Sequence, residues 1–437
     1  MHTPRIWMCL PLLLMLAAGP TTKLVEERGP AGNVEARYSV LLNGTRDGPF
    51  TTFYADGKTK ETGNYNNGQL EGSCTAFYPN GKISLRRSYH AGALDGPAVT
   101  FDEAGRQTAS TDYRAGKRHG VSRTSQGEKF ISEQVFIDDN LIYPRSPSIM
   151  ARGLAEIRKT KIQMVAAEGP LPTHKGEVPA DRDAAVRLVM EYRYLCFVPP
   201  ELALDARYNA HDEAAATILA QLGKLSHDPS NPGWPEADFQ FAHTGCASSN
   251  IYMGSALATA AVRSFMFDSD RSNIDRVGHR RWCLNPVMGK TGFGAAGNYV
   301  AMWSIDKSRQ EVPDYDFVAY PAPGYFPTTH FDSAAAWSIS LNPKKYALPD
   351  KAGVKVTVKP AQVSQSPLGI HTGEALYLND LNVSSAGAGI PNAIIFRPER
   401  CNTNPGNAYL VEITGLKTAD NEPAPLKYLV EFCRVGN

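Results

Sequence analysis

A repeat of fixed period constrains the fold of this 437-residue chain more than any other feature of its sequence. Two series of glycines each recur every 24 residues: Gly44, Gly68, Gly92 and Gly116, and Gly48, Gly72, Gly96 and Gly120. Each unit has a Gly-x-x-x-Gly start, a short alternating strand, a turn such as Pro79-Asn80-Gly81 and a second strand, which is the pattern of a β-hairpin. One hairpin cannot bury its aromatic face, whereas stacked hairpins can. The period therefore predicts an elongated single-layer sheet over residues 38–135.

These units resemble MORN-type repeats, of the variant found in bacterial proteins. The name of that family implies recognition of membranes. The exposed residues of the repeats are mixed in charge in this chain. We therefore expect the repeats to take part in protein interaction or to act as a spacer, rather than to bind lipid.

The first 19 residues have the pattern of a secretory signal. His2 and Arg5 precede a mainly apolar run from Ile6 to Ala18 that ends in small residues, which is the order of a cleaved signal peptide. The run is too short for a stable membrane anchor, and no later segment of the sequence is apolar and long enough to span a bilayer. We expect a secreted or periplasmic protein with no transmembrane segment after cleavage. The formal net charge of +1 predicts no nucleic-acid partner.

A series of motifs follows a helical linker that is expected over residues 136–179. Amphipathic spacing predicts a helix over Asp181–Leu195 and a second, Ala-rich helix from Asp205 to Leu222. The motifs are Ser226-His227, Ser249-Asn250-Ile251, Gly278-His279-Arg280-Arg281-Trp282-Cys283-Leu284-Asn285-Pro286 and Gly292-Phe293-Gly294. In this order they resemble the CAP superfamily (SCP-like proteins) in its bacterial form.

The resemblance implies an α-β-α sandwich over residues 180–320, in which helices stack on a small sheet. Short alternating strands separated by turn residues, as in Val354–Val358 and Tyr409–Ile413, predict a C-terminal β-sandwich over residues 330–437. That part is similar to immunoglobulin-like modules. The predicted fold class is therefore multi-domain α+β: a hairpin-repeat sheet, a central α-β-α sandwich and a β-sandwich.

The same resemblance places five residues around one cleft, and these are the predicted binding residues: His227, Ser249, Asn250, His279 and Arg280. Catalysis in this cleft would use His227, His279 and Ser249 as base and nucleophile. Alternatively, the imidazoles hydrogen-bond to backbone groups and the arginine pairs with acidic residues, so that the motif serves only the fold.

A metal site is the sharpest chemical hypothesis for the cleft. Many CAP proteins place two histidines and two glutamates there, but Ser249 stands where the family has the glutamate of its Glu-Asn-Ile motif. A neutral hydroxyl is a poor ligand for a divalent cation, so Zn²⁺ would need His227, His279 and an aspartate such as Asp268. We therefore expect no cofactor and no tight Zn²⁺ site.

Export makes disulfides an expectation for the six cysteines that follow the predicted signal. The resemblance places Cys246 and Cys283 around the cleft, where a bridge would join two of its segments. Cys401 and Cys433 flank the last predicted strands and would pair similarly. The remaining two, Cys74 and Cys196, lie in apolar contexts and are expected to be buried thiols.

Three classes of function remain. The favoured one is a non-catalytic extracytoplasmic binding protein with a protein, lipid or glycan ligand. A hydrolase, protease-like or metal-assisted, would use the cleft at His227 and His279, although the sequence has neither a Gly-x-Ser-x-Gly nor a His-Glu-x-x-His motif. The third class is a structural protein of the cell envelope.

Overall fold

The computed structural model describes residues 21–127, 129–169, 171, 176–271, 273–385 and 387–435. The predicted signal peptide, residues 1–19, lies outside this range. The chain divides into two compact units, Met1–Phe130 and Ile131–Asn437. Strands account for 41% of the chain and helices for 19%, so the protein is mostly β.

The first unit is an antiparallel sheet. Its strands are β1 (Thr22–Arg28), β2 (Val34–Leu41), β3 (Arg46–Phe53), β4 (Thr59–Asn66), β5 (Gln69–Leu70), β6 (Gly72–Phe77), β7 (Ile83–His90), β8 (Ala93–Leu94), β9 (Gly96–Phe101), β10 (Gln107–Arg114) and β11 (Lys117–Gln126). The main path is β1-β2-β3-β4-β6-β7-β9-β10-β11, with β5 paired to β4 and β8 to β7. The predicted N-terminal hairpin sheet is therefore present.

Identical turns explain why the glycines recur. Gly68, Gly92 and Gly116 have φ angles of 83°, 81° and 82°, and the residue before each has a φ of 48°. Two successive positive φ angles close a tight hairpin turn, and glycine adopts them without steric cost. Consecutive repeats are also joined by tyrosine side chains. The Tyr54 hydroxyl donates to the Phe77 carbonyl at 2.6 Å, and Tyr78 donates to Phe101 at 2.8 Å.

In the part of the chain that the structure describes, the second unit contains six helices and several small sheets. The helices are α1 (Pro147–Lys159), α2 (Arg182–Leu195), α3 (Ala206–Leu222), α4 (Glu236–Ser248), α5 (Ala258–Phe267) and α6 (Gly278–Cys283), with a 3-10 turn at Thr328–His330. Among the helices that the structure describes, none is both long and apolar enough to cross a membrane.

Strands of the second unit follow in chain order. They are β12 (Lys129–Ile137), which begins at the boundary, β13 (Asn140–Tyr143), β14 (Met164–Val165), β15 (Ala203–Asp205), β16 (Ser249–Met253), β17 (Lys290–Thr291), β18 (Phe293–Ala296), β19 (Tyr299–Trp303), β20 (Phe317–Tyr320), β21 (Gly324–Pro327), β22 (Trp337–Leu341), β23 (Lys355–Gln365), β24 (Leu368–Thr372), β25 (Leu378–Ser384), β26 (Ala393–Pro398), β27 (Ala408–Thr414) and β28 (Leu426–Cys433). The sheets are β14-β15-β17, β16-β19-β18, β20-β22-β26-β25 and β21-β28-β27-β23-β24.

The predicted fold class is wrong. The chain is mostly β, and the described residues do not show a separate α-β-α sandwich at 180–320. Helices α2 and α5 bury their apolar faces in one core cluster that also contains Phe326, Trp337 and Phe432. The three-stranded sheet β16-β19-β18 is small, and α2 and α5 share their core with the C-terminal strands. Helical periodicity predicts that a face is buried, but not which partner buries it.

The individual helices were predicted more accurately. The α2 and α3 helices begin within one residue of the expected positions, and Asp205 caps α3 by accepting from the backbone nitrogens of Arg207 and Tyr208. Asp181 is different, because its carboxylate caps α5 rather than α2 and accepts from Ala258 and Thr259. An aspartate that directly precedes a helix in the sequence therefore need not cap that helix.

Candidate functional site

A cavity of about 420 Å³ lies beside the Gly278-His279 motif. Its polar wall contains His227, Asp270, Arg276 and His279, and its apolar wall contains Leu225, Ile251, Tyr252, Met253 and Phe265. A smaller neighbouring cavity of about 210 Å³ shares His227, Arg276 and His279 with it and also contacts Ser249, Asn250 and Trp282. We call the larger of the two the central cavity. The structure thus brings both predicted histidines to one open site.

His279 is held by a buried carboxylate. Its Nδ1 lies 2.9 Å from Oδ1 of Asp268, whose side chain is completely buried. Asp268 adopts a left-handed φ of 53° directly after α5, which turns the chain back towards α6, and its other oxygen accepts from the Arg280 backbone at 3.2 Å. With Nδ1–H donated to the carboxylate, Nε2 is the nitrogen that His279 offers to a ligand.

Asn273 completes the support of this pair. Its Oδ1 accepts from Arg276 Nε at 2.8 Å and from the Gly278 backbone at 3.1 Å, which fixes the orientation of the amide. Its Nδ2 donates to Asp268. The loop between α5 and α6 is therefore shaped around one carboxylate.

His227 presents a second imidazole in a defined tautomer. Its Nδ1 lies 2.7 Å from the Cys246 carbonyl oxygen, and because a carbonyl only accepts, Nδ1 carries the hydrogen and Nε2 the lone pair. Burial lowers the pKa of His227, and the positive charge of Arg276 lowers it further, although the bond to the Cys246 carbonyl works in the opposite direction. His227 is therefore neutral at pH 7. The backbone contact predicted as an alternative exists, and the ring lines the cavity as well.

The Ser249 hydroxyl hydrogen-bonds to Asp212 rather than to either histidine. It donates to Oδ1 of Asp212 at 2.5 Å, and the other oxygen of Asp212 accepts from the Trp303 backbone at 2.8 Å. Asp212 is completely buried, and burial raises the pKa of its carboxyl well above the ordinary value. Within the described residues Ser249 makes no hydrogen bond to His227 or His279. The hydroxyl links β16 to α3, which is a poor arrangement for a nucleophile.

Asn250 and Arg280 position the motif. Asn250 donates to the His279 carbonyl at 3.1 Å and accepts from the Ser304 hydroxyl at 3.2 Å. Arg280 is completely buried and donates to the carbonyls of three residues: Met266, Phe267 and Ala336. It does not line the central cavity. The expected acidic partner of Arg280 is thus replaced by carbonyl groups of α5 and the segment before β22.

A metal ion bound at this site would compete with existing hydrogen bonds for the same ligand atoms. Asp268, Asp270 and His279 each offer a ligand atom, and these atoms lie within 4.8 Å of one another. Asp268 already accepts from His279, Asn273 and Arg280, so a metal would displace hydrogen bonds that shape the loop. His227 is not part of this group. The weak affinity for Zn²⁺ expected from Ser249 stays a prediction.

The expectation of disulfides is wrong for this structure. All six cysteines are free. The Cys246 thiol donates to the Ala215 carbonyl of α3, whereas the Cys283 sulfur accepts from Asn250, so each sulfur contacts a different neighbour. Burial raises the pKa of both thiols to about 12, which leaves them protonated and unreactive. Cys74 and Cys196 are buried thiols, as predicted.

Sequence reasoning missed three residues that matter here: Arg276, Asn273 and Asp212. The first two lie in the six residues before His279, and an alternation of charged and amide side chains was their only signal. Asp212 lies in the middle of an Ala-rich helix and had no signal, since its role depends on the strand that packs against α3.

Comparison with solved structures yields only distant likenesses. The chain is similar to a structure of the GtfA/B complex (11% identity, 35% of this chain and 27% of that chain, TM-score 0.18). It is also similar to accessory secretory proteins 1, 2 and 3 of Streptococcus pneumoniae (9% identity, 53% and 41%, TM-score 0.14) and to TarM (14% identity, 34% and 26%, TM-score 0.12). The chain spans less than half of each, and likenesses this weak carry no conclusion about fold or function.

Family comparison gives a clearer result for the first unit. No curated protein matches the chain, and no CAP or SCP-like domain is supported in it. The model of the MORN repeat variant matches residues 46–67 and 70–91, which lie in β3 to β7 of the antiparallel sheet. The first unit therefore contains MORN-type repeats.

Proposed function

We propose that this protein is an extracytoplasmic binding protein whose central cavity takes an amphipathic molecule with an apolar body and a hydroxyl-bearing head group. The observation that carries the proposal is the pair of imidazoles with assigned tautomers, each offering Nε2 to one open cavity. The two Nε2 atoms can accept hydrogen bonds and the Arg276 guanidinium can donate them. This combination suits a ligand group that both donates and accepts hydrogen bonds, as hydroxyls do.

The opposite wall supports the apolar part of the ligand. Phe265 is buried, whereas Leu225 and Met253 are 41% and 47% exposed and line the same cavity. Exposed apolar side chains next to convergent polar groups are typical of small-molecule sites. Lipids are thus favoured over proteins and glycans as ligands.

A direct binding measurement tests the proposal. The full chain is titrated with a fluorescent monoacylglycerol, and the same titration is repeated with His227→Ala, His279→Ala and Arg276→Ala. Loss of one good hydrogen bond costs about 1–1.5 kcal/mol, so we expect each variant to bind roughly ten-fold more weakly.

His243→Ala is the matched control, because His243 pairs with Asp228 at 2.8 Å and does not line the central cavity. Its affinity should equal that of the unchanged protein. Equal affinity for all four variants would place the ligand elsewhere. Export predicts in addition a mature N-terminus near residue 20, and full-length protein retained in the cytoplasm would contradict that part of the proposal.

The Asp268–His279 pair favours a hydrolase as the second candidate. A carboxylate that orients an imidazole leaves Nε2 suited to take a proton from water. In the described part of the chain no hydroxyl or thiol hydrogen-bonds to His279, so water would be the nucleophile. The same protein incubated with the monoacylglycerol would then release fatty acid, and Asp268→Asn would lower that rate. If the monoacylglycerol is unchanged after prolonged incubation, the hydrolase candidate is rejected and binding remains the proposed function.

A further inference from the structure

Another cavity, of about 340 Å³, lies outside the predicted cleft and is lined by the imidazole of a buried acid–imidazole pair that the proposed function does not use. We call it the aromatic cavity, and its lining includes Tyr192, Arg263, Phe267, Tyr320, Thr329 and His330. His330 and Glu191 are 4% and 6% exposed, whereas Thr329 is exposed. Buried ionisable groups that open onto a cavity through an exposed hydroxyl are candidates for chemistry.

Three side chains form a continuous chain of hydrogen bonds. His330 Nε2 lies 2.7 Å from Oε2 of Glu191, and His330 Nδ1 lies 3.0 Å from the hydroxyl oxygen of Thr329. Glu191 also accepts from Arg158 Nε at 2.9 Å. Burial alone would raise the pKa of Glu191, but the bonds from His330 and Arg158 outweigh it and hold the pKa below its ordinary value. Glu191 is therefore a carboxylate.

The direction of each bond follows from that charge. A carboxylate only accepts, so Nε2 of His330 carries the hydrogen. In the neutral imidazole Nδ1 then has the lone pair, and it accepts the hydroxyl hydrogen of Thr329. The order is hydroxyl, imidazole, carboxylate, which is the arrangement that activates a nucleophile in acyl transfer.

Neighbouring groups keep the imidazole in place. The Tyr192 ring contacts His330 edge-on with centroids 5.2 Å apart, and the Tyr320 hydroxyl donates to the His330 carbonyl at 2.7 Å. The Arg263 guanidinium donates to the Thr329 carbonyl at 3.5 Å and lines the same cavity, so a cation is available there for the negative charge that would develop on a substrate. The rings of Tyr192, Phe267 and Tyr320 supply an apolar surface for an acyl group.

We propose that Thr329, His330 and Glu191 form a nucleophilic centre that hydrolyses small carboxylic esters. The Thr329 oxygen attacks the ester carbonyl carbon while His330 Nδ1 takes the hydroxyl proton. The tetrahedral intermediate collapses, the C–O bond to the alcohol breaks, and the departing alkoxide takes the proton from His330. Water then adds to the Thr329 ester by the same route, and its attack releases the carboxylic acid and restores the hydroxyl. No redox partner is needed.

Ester hydrolysis by the full chain tests this proposal. The probe is p-nitrophenyl acetate, with release of p-nitrophenol followed optically, and a fluorophosphonate reports the nucleophile by mass mapping of the labelled peptide. We expect the label on Thr329. Because proton transfer and the nucleophile act as a unit, Thr329→Ala and His330→Asn should lower the rate about 100-fold or more, and Thr329→Ser should retain it.

Two controls separate this centre from unrelated threonine and histidine side chains. Thr328→Ala changes the adjacent threonine of the same turn and should leave the rate unchanged, as should His243→Ala, whose imidazole pairs with Asp228. Thr329 is exposed, so its variants should keep the thermal midpoint of the parent even if His330→Asn does not fold. Hydrolysis that is equal in Thr329→Ala and the parent, or a label on another residue, would overturn the proposal.

Discussion

At the scale of single residues, the site depends on hydrogen bonds that assign a role to each atom. Asp268 orients His279, the Cys246 carbonyl orients His227, and Asp212 holds Ser249 away from both. Three residues that are equally good candidates for catalysis in the sequence thus have different roles in the structure. The distinction comes from partners that are 11 to 37 residues away in the chain.

His227 predicts a pH dependence of stability. Its pKa is lowered in the folded protein, so the unfolded chain binds a proton more readily. The contribution of neutral His227 to the free energy of unfolding is complete above the ordinary histidine pKa of about 6.5. It is lost as the pH falls through the lowered pKa that His227 has in the folded protein. We expect the free energy of unfolding to decrease between about pH 7 and pH 5, and to decrease less in His227→Gln, whose amide still donates to Cys246.

Urea unfolding at several pH values measures this difference. His211, whose pKa is also lowered by burial, is present in both proteins and accounts for the slope that remains. Parallel curves for the parent and His227→Gln would show that His227 titrates alike in the folded and unfolded chain.

At the scale of elements, glycines decide how closely strand β18 approaches helix α3. A Cβ at Gly292 would lie 2.5 Å from the Tyr208 carbonyl carbon, and one at Gly294 would overlap the Glu213 backbone nitrogen. This contact brings the strand directly onto the helix that carries Asp212. The two glycines of the Gly-x-Gly motif are therefore needed for the close packing of β18 against α3 and not for a turn.

Gly294→Ala should destabilise the second unit strongly. The new methyl group has only backbone to displace, and forced overpacking costs roughly 1–3 kcal/mol or more. Gly369→Ala in strand β24 is the matched control, since its Cβ would meet nothing closer than the Ser364 hydroxyl oxygen at 3.7 Å. Chemical denaturation measures the midpoint of each variant, and we expect a lower midpoint for Gly294→Ala than for Gly369→Ala. Equal midpoints would contradict the packing explanation.

At the scale of the whole molecule, buried arginines connect the central motif to the C-terminal strands. Arg280 donates to Ala336 and Ser338, and Arg281 donates to Ile390 and Ser384. The apolar core is continuous across the same segments. The central cavity therefore belongs to a unit that extends over residues 131–437.

Two fragments of the chain test this unit. Residues 131–437 should fold alone with one cooperative transition in urea, because their core is complete. Residues 131–325 should not, because the C-terminal acceptors of Arg280 and Arg281 and part of the apolar core are missing, and a buried cation that loses hydrogen-bond acceptors is costly. A cooperative transition of the shorter fragment would show that the central segment is a domain of its own.

The sequence by itself determined those features that depend on near neighbours in the chain. The 24-residue period predicted the hairpin sheet because each turn needs positive φ at fixed positions, and amphipathic spacing predicted α2 and α3 nearly to the residue. It also selected His227 and His279, which the structure brings to one cavity.

Only the tertiary structure decided what each buried face contacts. Helices α2 and α5 pack against C-terminal strands, and Asp212 binds the Ser249 hydroxyl. Cys246 and Cys283 are free thiols, and Glu191, His330 and Thr329 form a chain of hydrogen bonds. Each of these features depends on contacts between residues that are distant in the sequence. Periodicity specifies that a side chain is buried, whereas the identity of its partner depends on how several elements fill a common volume. Local pattern contains no information on that choice.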